Sequence, residues 1–263
     1  MLETSSARPL LGLDPDLGVL LAPERMQAAS EDLQARVAGF DPGPWRPESM
    51  CGASPANVGL LVLSGIVSRE ICVHDAPSAE LLGPGDIIRT WHADALPGML
   101  RTSVRWVVLS RATLALLDRD TALALRRYPE VMTVVLDRLN ARAERLAVTQ
   151  AISQITGVET RVEALLWHLS ERWGRIGSDG VIVPLTLSHR MIGSLVGARR
   201  PTVSTAVAQL VQQGRIARRE DGSWVLTGPP LAAPAPARHL ELASDPADEP
   251  RGSWAAMRTG EMA

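Results

Sequence analysis

The stretch from Leu185 to Gly228, LTLSHRMIGSLVGARRPTVSTAVAQLVQQGRIARREDGSWVLTG, admits few folds. Ser188 suits a helix cap, its hydroxyl accepting a backbone N–H of the first turn, so a short helix is predicted from His189 to about Val196. Gly193 sits in its middle at a cost of about 1 kcal/mol, which makes sense only where another helix approaches closely. Gly197 supplies the left-handed conformation that ends the helix. Two residues later a second helix is predicted, with Pro201 in its first turn and Val203, Val207, Leu210 and Val211 facing inward. Gln212, Gln213 and Gly214 close it, and RIARREDGSWVLTG reads as two short strands around an Asp221-Gly222 turn. Helix, glycine turn, helix and wing is the geometry that lays a second helix in the major groove of duplex DNA.

The residues expected to touch DNA follow from that layout. At the start of the second helix they are Arg199, Arg200, Thr202, Ser204 and Thr205; at the start of the first, Ser188 and His189; on the wing, Arg218 and Arg219. A guanidinium grips guanine O6 and N7 with two bonds, and short hydroxyls suit phosphates or base edges. Charge is distributed accordingly. Residues 161–228 hold nine Arg against five acidic residues, whereas residues 1–160 hold fifteen against nineteen. A basic module beside acidic sequence fits a polyanion binder joined to a non-binding partner. Lysine is absent, which fits a GC-rich coding bias better than a function.

A length of 263 residues exceeds one average domain of roughly 100–150 residues. Residues 1–45 read as an N-terminal extension with a small helix over Met26–Val37. Residues 46–122 read as a β-roll: VGLLVLSGIVSREI (Val58–Ile71) as two strands meeting in a tight turn at Ser64-Gly65, then Glu80–Ile88 with a turn at Gly83-Pro84-Gly85, then a strand over Thr102–Ser110. Residues 123–155 hold a long helix from Pro129 to Ile152 and a hinge. Met132, Leu136, Leu139, Ala143, Leu146 and Gln150 step by 4, 3, 4, 3, 4 along it, the seam of a coiled coil and the expected dimer interface, with Arg138, Arg142, Glu144 and Arg145 beside it. A break at Ser153–Gly157 precedes a helix over Val158–Gly174, whose apolar face is Val162, Leu165, Leu166 and Leu169. Residues 156–228 form the winged helix-turn-helix, and residues 229–263, rich in Pro and Ala, read as a disordered tail in which Trp254 is a stray aromatic.

These residues resemble the Crp/Fnr family of bacterial regulators. The family pattern is matched at Leu187, Ser188, Ile192, Gly193, Gly197, Arg200, Thr202, Val203 and Ser204, and departed from at Pro201 and Thr205, where the family often has Glu and Arg. The resemblance implies an α+β chain with a cyclic-nucleotide-binding-like jelly roll, a long dimerisation helix and a C-terminal winged helix-turn-helix. It implies a homodimer on a pseudo-palindromic operator, with Arg200 as the guanine reader, Thr202 on the backbone, and RNA polymerase as a further partner. Upstream, Leu61–Arg69, Leu81–Ile88 and Thr102–Asp120 are similar to successive strands of the family's roll. Arg101-Thr102 stands where the family holds a cyclic phosphate, but no Gly-Glu pair precedes it for the ribose, so a carboxylate such as Asp94 has to serve. A cyclic nucleotide is therefore not demanded as a cofactor, and the effector is another small molecule or none.

Other chemistry is excluded or left bland. Cys51 and Cys72 are too few for an iron–sulfur site or a disulfide scaffold, and His74 and His92 lack metal-ligand spacing. Trp45, Trp91 and Trp106 read as core aromatics rather than a pocket lining. No nucleophile–base arrangement or phosphate-binding glycine loop marks an enzyme. The chain start lacks a secretion signal, and no apolar run approaches the ~20 residues of a membrane span, so the expected compartment is the cytoplasm. The rival reading is a β-roll small-molecule sensor acting as a protein-interaction adaptor, without reading DNA.

Overall fold

Leu60, Leu61 and Val62 are all fully buried although successive strand residues point to opposite faces, so the sheet of the first half must be covered on both sides. The computed structural model describes residues 7–51, 56–89 and 101–231. Within them the sheet comprises β1 (Arg8–Pro9), β2 (Gln34–Phe40), β3 (Gly43–Trp45), β4 (Gly59–Val73), β5 (Ala76–Leu82), β6 (Ile87–Ile88) and β7 (Thr102–Leu117). Its order is β1-β2-β7-β4-β5, with β3 also on β7 and β6 on β4. Leu60, Val62, Leu114 and Leu116 face an inner core with Phe40, Trp45 and Trp106. Leu61, Ala115 and Leu117 face an outer core with Leu10, Leu17 and Leu33. Those last three come from α1 (Leu10–Leu13), a single 3₁₀ turn at Pro15–Gly18 and the segment after α2 (Pro23–Asp32); α3 (Glu48–Cys51) follows β3.

Three expectations are corrected here. Val58–Ile71 is not two strands: β4 runs unbroken past Ser64-Gly65, with a register irregularity there. A Cβ on Gly65 would lie 2.3 Å from the Arg111 carbonyl oxygen, so the glycine is a bulge pressed against β7 rather than a turn. The turn lies instead at His74-Asp75, where His74 has φ 58°. The helix predicted over Met26–Val37 ends at Asp32, and Gln34–Phe40 pairs with β7. Residues before 46 are thus part of the sheet. The strand predicted over Thr102–Ser110 continues to Leu117.

Asp118 caps α4 (Arg119–Leu125), accepting from the N–H groups of Asp120 and Thr121, and α5 (Pro129–Gln154) follows with proline in its first turn. Val131, Val135 and Ile152 are the buried side chains of α5. Between them a ladder of arginines binds the chain's own β-roll. Arg138 makes two bonds to Asp14 (2.5 and 2.9 Å), and Arg142 makes two to Glu80 (2.5 and 3.1 Å) and one to the Ile87 carbonyl. Arg145 reaches Asp86 at 2.5 Å. Burial holds the Arg145 guanidinium below its usual range, with Arg172 and Arg142 adding to the effect and Asp86 opposing it.

Ile155 is extended and Gly157 has φ +89°, so the helix breaks where predicted and α6 (Val158–Trp173) begins. The predicted face of α6, Val162, Leu165, Leu166 and Leu169, is buried. Then come β8 (Arg175–Gly177), β9 (Gly180–Val183), α7 (His189–Val196), α8 (Arg200–Gln212), β10 (Ile216–Arg218) and β11 (Trp224–Leu226), the strands ordered β10-β11-β9-β8. The core of this half includes Ala79 and Leu81 of β5, so the helical module is packed on the roll. Asp86, 2 % exposed, joins three elements: it accepts from the Gly83 N–H, from Arg145 of α5 and from Arg172 of α6 at 2.7 Å. The chain divides into units at Pro230/Leu231. Expectations for Trp91, His92, Asp94, Trp254 and all but the first three residues of the tail lie outside the described residues.

Candidate nucleic-acid interface

The first helix of the pair is held as its sequence requires. Ser188 is extended (ψ 153°), and its hydroxyl accepts from the Met191 N–H at 3.1 Å. Residues Ile192–Val196 are buried, α7 packing on α8, β5, α5 and α6, and Gly197, at φ 67° and ψ 44°, ends the helix in the left-handed conformation. A Cβ on Gly193 would stand 2.4 Å from the Ala198 carbonyl oxygen, so the close approach comes from the backbone of the turn and not, as expected, from another helix, α8 standing at 3.7 Å through Val203. Arg199 precedes α8 without a side-chain cap, and Pro201 occupies its first turn.

On α8, Val203, Ala206, Val207 and Leu210 are buried; Val211, expected inside, is 46 % exposed because it falls one position past the buried stripe. Arg199, Arg200, Thr202 and Thr205 are exposed together with Pro201 at the front of the helix. Ser204 is half-buried and its hydroxyl is engaged twice, 3.1 Å from the Arg200 carbonyl and 2.8 Å from Nδ1 of His189. It therefore links α8 to α7 instead of standing free. Thr205 donates to the Pro201 carbonyl at 3.3 Å. An open cleft of about 510 Å³ lies between the start of α6 and this front, lined by Gly157, Val158, Pro201, Thr202, Thr205 and Gln209 among others.

The wing is built from β10 and β11, paired Ile216 to Leu226 and Arg218 to Trp224. Arg219 N–H donates to the Ser223 carbonyl at 2.9 Å, and Gly222 turns the chain at φ +82°. Asp221 accepts from both the hydroxyl and the N–H of Ser223, which holds its carboxyl below the usual carboxylate range. The Arg218 guanidinium lies 5.2 Å from the centre of the Trp224 ring, a cation–π contact that holds it beside the helix pair. Arg219 is exposed.

Sequence reasoning missed the support under the wing. β9 pairs with β11, and β8 with β9, through a turn at Ser178-Asp179. The signal was present, since VIV beside Gly180 is a strand pattern after a polar turn. Also missed was the ion pair of buried Glu163 in α6 with the partly exposed Arg215, between α8 and β10.

The remaining candidate residues fall elsewhere. Arg101 and Thr102 are exposed, and Thr102 pairs with Val73 beside the β4–β5 hairpin tip. On α5, Leu136 is 58 % and Leu146 40 % exposed, and Ala143 and Gln150 are exposed too. Met132 and Leu139 are half-buried against the chain's own outer core. Trp45 and Trp106 pack edge to face at 5.9 Å in the inner core and also line an open cleft of about 530 Å³ with Pro44, Pro47 and Val104. Cys72 is a free thiol. Among the described residues no group of His, Cys, Asp or Glu has the arrangement of a metal site, and no helix is long and apolar enough to cross a membrane.

The whole sequence matches no curated protein. Residues 160–229 match the model of the Crp-like helix-turn-helix domain. Among solved structures, a mutant of CooA from Carboxydothermus hydrogenoformans is similar at 17 % identity and TM-score 0.60, over 86 % of this chain and 94 % of that one. A cyclic nucleotide-binding domain containing protein from Listeria monocytogenes gives 14 % and 0.60, over 81 % and 96 %. A CRP-family transcriptional regulator from Thermus thermophilus gives 19 % and 0.52, over 73 % and 92 %. Residues 160–229 are thus a Crp-like helix-turn-helix domain, carried on a chain with the fold of the Crp/Fnr transcription regulators.

Proposed function

We propose that this chain is a non-enzymatic, sequence-reading regulator of transcription in the cytoplasm, which binds an approximately palindromic operator as a homodimer. The observation that carries this reading is the front of α8, where Arg199, Arg200, Thr202 and Thr205 are exposed on a helix packed from behind on α6 and α7. Arg200 reads a guanine, Thr202 meets the backbone, and Arg218 and Arg219 reach flanking phosphates. Two α5 helices pair through Leu136, Ala143 and Leu146, with Met132, Leu139 and Gln150 at the seam, and set two copies of α8 roughly 34 Å apart in successive major grooves. RNA polymerase is the partner proposed for the bound dimer.

Similarity to a cyclic nucleotide-binding domain containing protein supports a small effector in the roll. Arg101 and Thr102 remain the proposed phosphate contacts. Such an effector acts by changing the angle at Ser153–Gly157. The test is selection of bound sequences from a random duplex pool, with and without cyclic nucleotides, followed by Arg200→Ala. Loss of about 1–3 kcal/mol in affinity, with specificity relaxed at one base pair, is the expected result. Indifference to the substitution favours the adaptor reading instead.

A further inference from the structure

His189 opens α7, and its ring Nδ1 lies 2.8 Å from the Ser204 hydroxyl in α8. That hydroxyl has a single proton and also lies 3.1 Å from the Arg200 carbonyl oxygen, which can only accept. The hydroxyl therefore donates to the carbonyl and accepts from the ring, so Nδ1 carries the hydrogen. Nε2 is left as the basic nitrogen. The charged groups acting on the ring are Arg218 on β10 and Arg200 on α8, both cationic. Burial foremost, then these two guanidinium groups, hold the imidazole below its usual range, so the free protein keeps it neutral at pH 7.

An arriving phosphate reverses that balance. Guanidinium groups that repel a proton from the ring also attract the DNA backbone, and a phosphate beside Nε2 favours the imidazolium, as does neutralisation of Arg218 when it pairs with a flanking phosphate. The positive end of α7 adds to the attraction for the anion. We infer that His189 is a proton-linked phosphate contact: it takes up a proton as the protein closes on duplex DNA, and Ser204 is the positioning residue that reserves Nε2 for the backbone. This rests on the DNA-reading function proposed above and adds that operator affinity is set by pH.

The sign follows from linkage. The ring titrates at higher pH in the complex than in the free protein. Affinity therefore rises as pH falls through the complex value, and it levels off below the free value. Each unit of difference is worth tenfold per subunit.

The test uses the full-length protein and the duplex recovered by the selection, with Kd measured from pH 8 to pH 5.5 at constant ionic strength. Wild type is expected to tighten by about tenfold or more. His189→Gln, which keeps an amide donor for Ser204 and cannot titrate, is expected to give a flat profile. Calorimetric binding in two buffers of different ionisation enthalpy counts the protons in wild type alone, and net uptake near pH 6.5 is expected. Ser204→Ala is expected to move the midpoint of the profile to lower pH, because the imidazolium loses an acceptor. Binding with equal pH slopes in wild type and His189→Gln, or with no proton uptake, overturns this inference and leaves the DNA-reading function standing. No preference for any duplex over competitor DNA at any pH overturns both.

Discussion

Gly193 and Ser204 show what single residues do in this interface, and each has a backbone reason. At Gly193 a methyl group would sit 2.4 Å from the Ala198 carbonyl oxygen, and that oxygen belongs to the turn that sets the angle between α7 and α8. Alanine gains about 1 kcal/mol of helix propensity over glycine, but the clash is with backbone and cannot be relieved by a rotamer change. Overpacking of this kind costs about 1–3 kcal/mol, so Gly193→Ala is expected to lower stability in urea unfolding and to weaken duplex binding by displacing α8. Unchanged stability would mean the turn yields easily. Mid-helix glycine was legible because its conformational cost demands an explanation that only close packing supplies. The role of Ser204 was only half legible: its place at the front of α8 follows from the sequence, but its bond to His189 depends on the crossing of two helices, which no spacing encodes.

At the scale of elements, periodic patterns were readable and long-range contacts were not. α5, α6, α7 and α8 appear where their apolar periodicity and their bounding Pro, Ser and Gly residues put them, because both signals are local. β4 defeated the same reasoning: Ser64-Gly65 has turn chemistry, and only the closeness of β7 shows that the glycine is a bulge. Gln34–Val37 was read as the end of a helix because Gln, Ala and Arg are good helix formers, whereas pairing with β1 and β7 overrides that preference. Arg138, Arg142 and Arg145 were seen beside the seam, but their carboxylate partners are 59 to 124 residues away in the chain. The Glu163–Arg215 pair has the same character and a measurable consequence. Glu163 is 4 % exposed, so Arg215→Met leaves a buried carboxylate unpaired, and a loss of up to about 3 kcal/mol is expected. Glu163→Gln keeps an acceptor and removes the charge, with an expected loss nearer 1 kcal/mol. Equal losses for the two would show that the pair is held by packing and not by charge.

At the scale of the molecule α5 has two opposed faces, and the division between them argues for the homodimer. One face is committed within the chain, through Val131, Val135 and the arginines bound to Asp14, Glu80 and Asp86. The other leaves Leu136 and Leu146 at 58 and 40 % exposure, with exposed Ala143 and Gln150 between and beyond them, and a stripe of that kind is the seam two copies would bury against each other. Pairing also bears on DNA affinity, since the second half-site is bound at the effective concentration set by the first. Leu136→Glu with Leu146→Glu places like charges across the proposed seam while leaving Val131, Val135 and the arginine–carboxylate pairs of α5 in place. The doubly substituted protein is expected to keep its helical circular dichroism, to sediment as a monomer, to melt at a lower midpoint that no longer depends on concentration, and to bind a two-half-site duplex about 10²-fold more weakly, with no change toward a single half-site. A variant that remains dimeric and binds the palindrome as wild type does would show that the copies meet through some other surface of the fold.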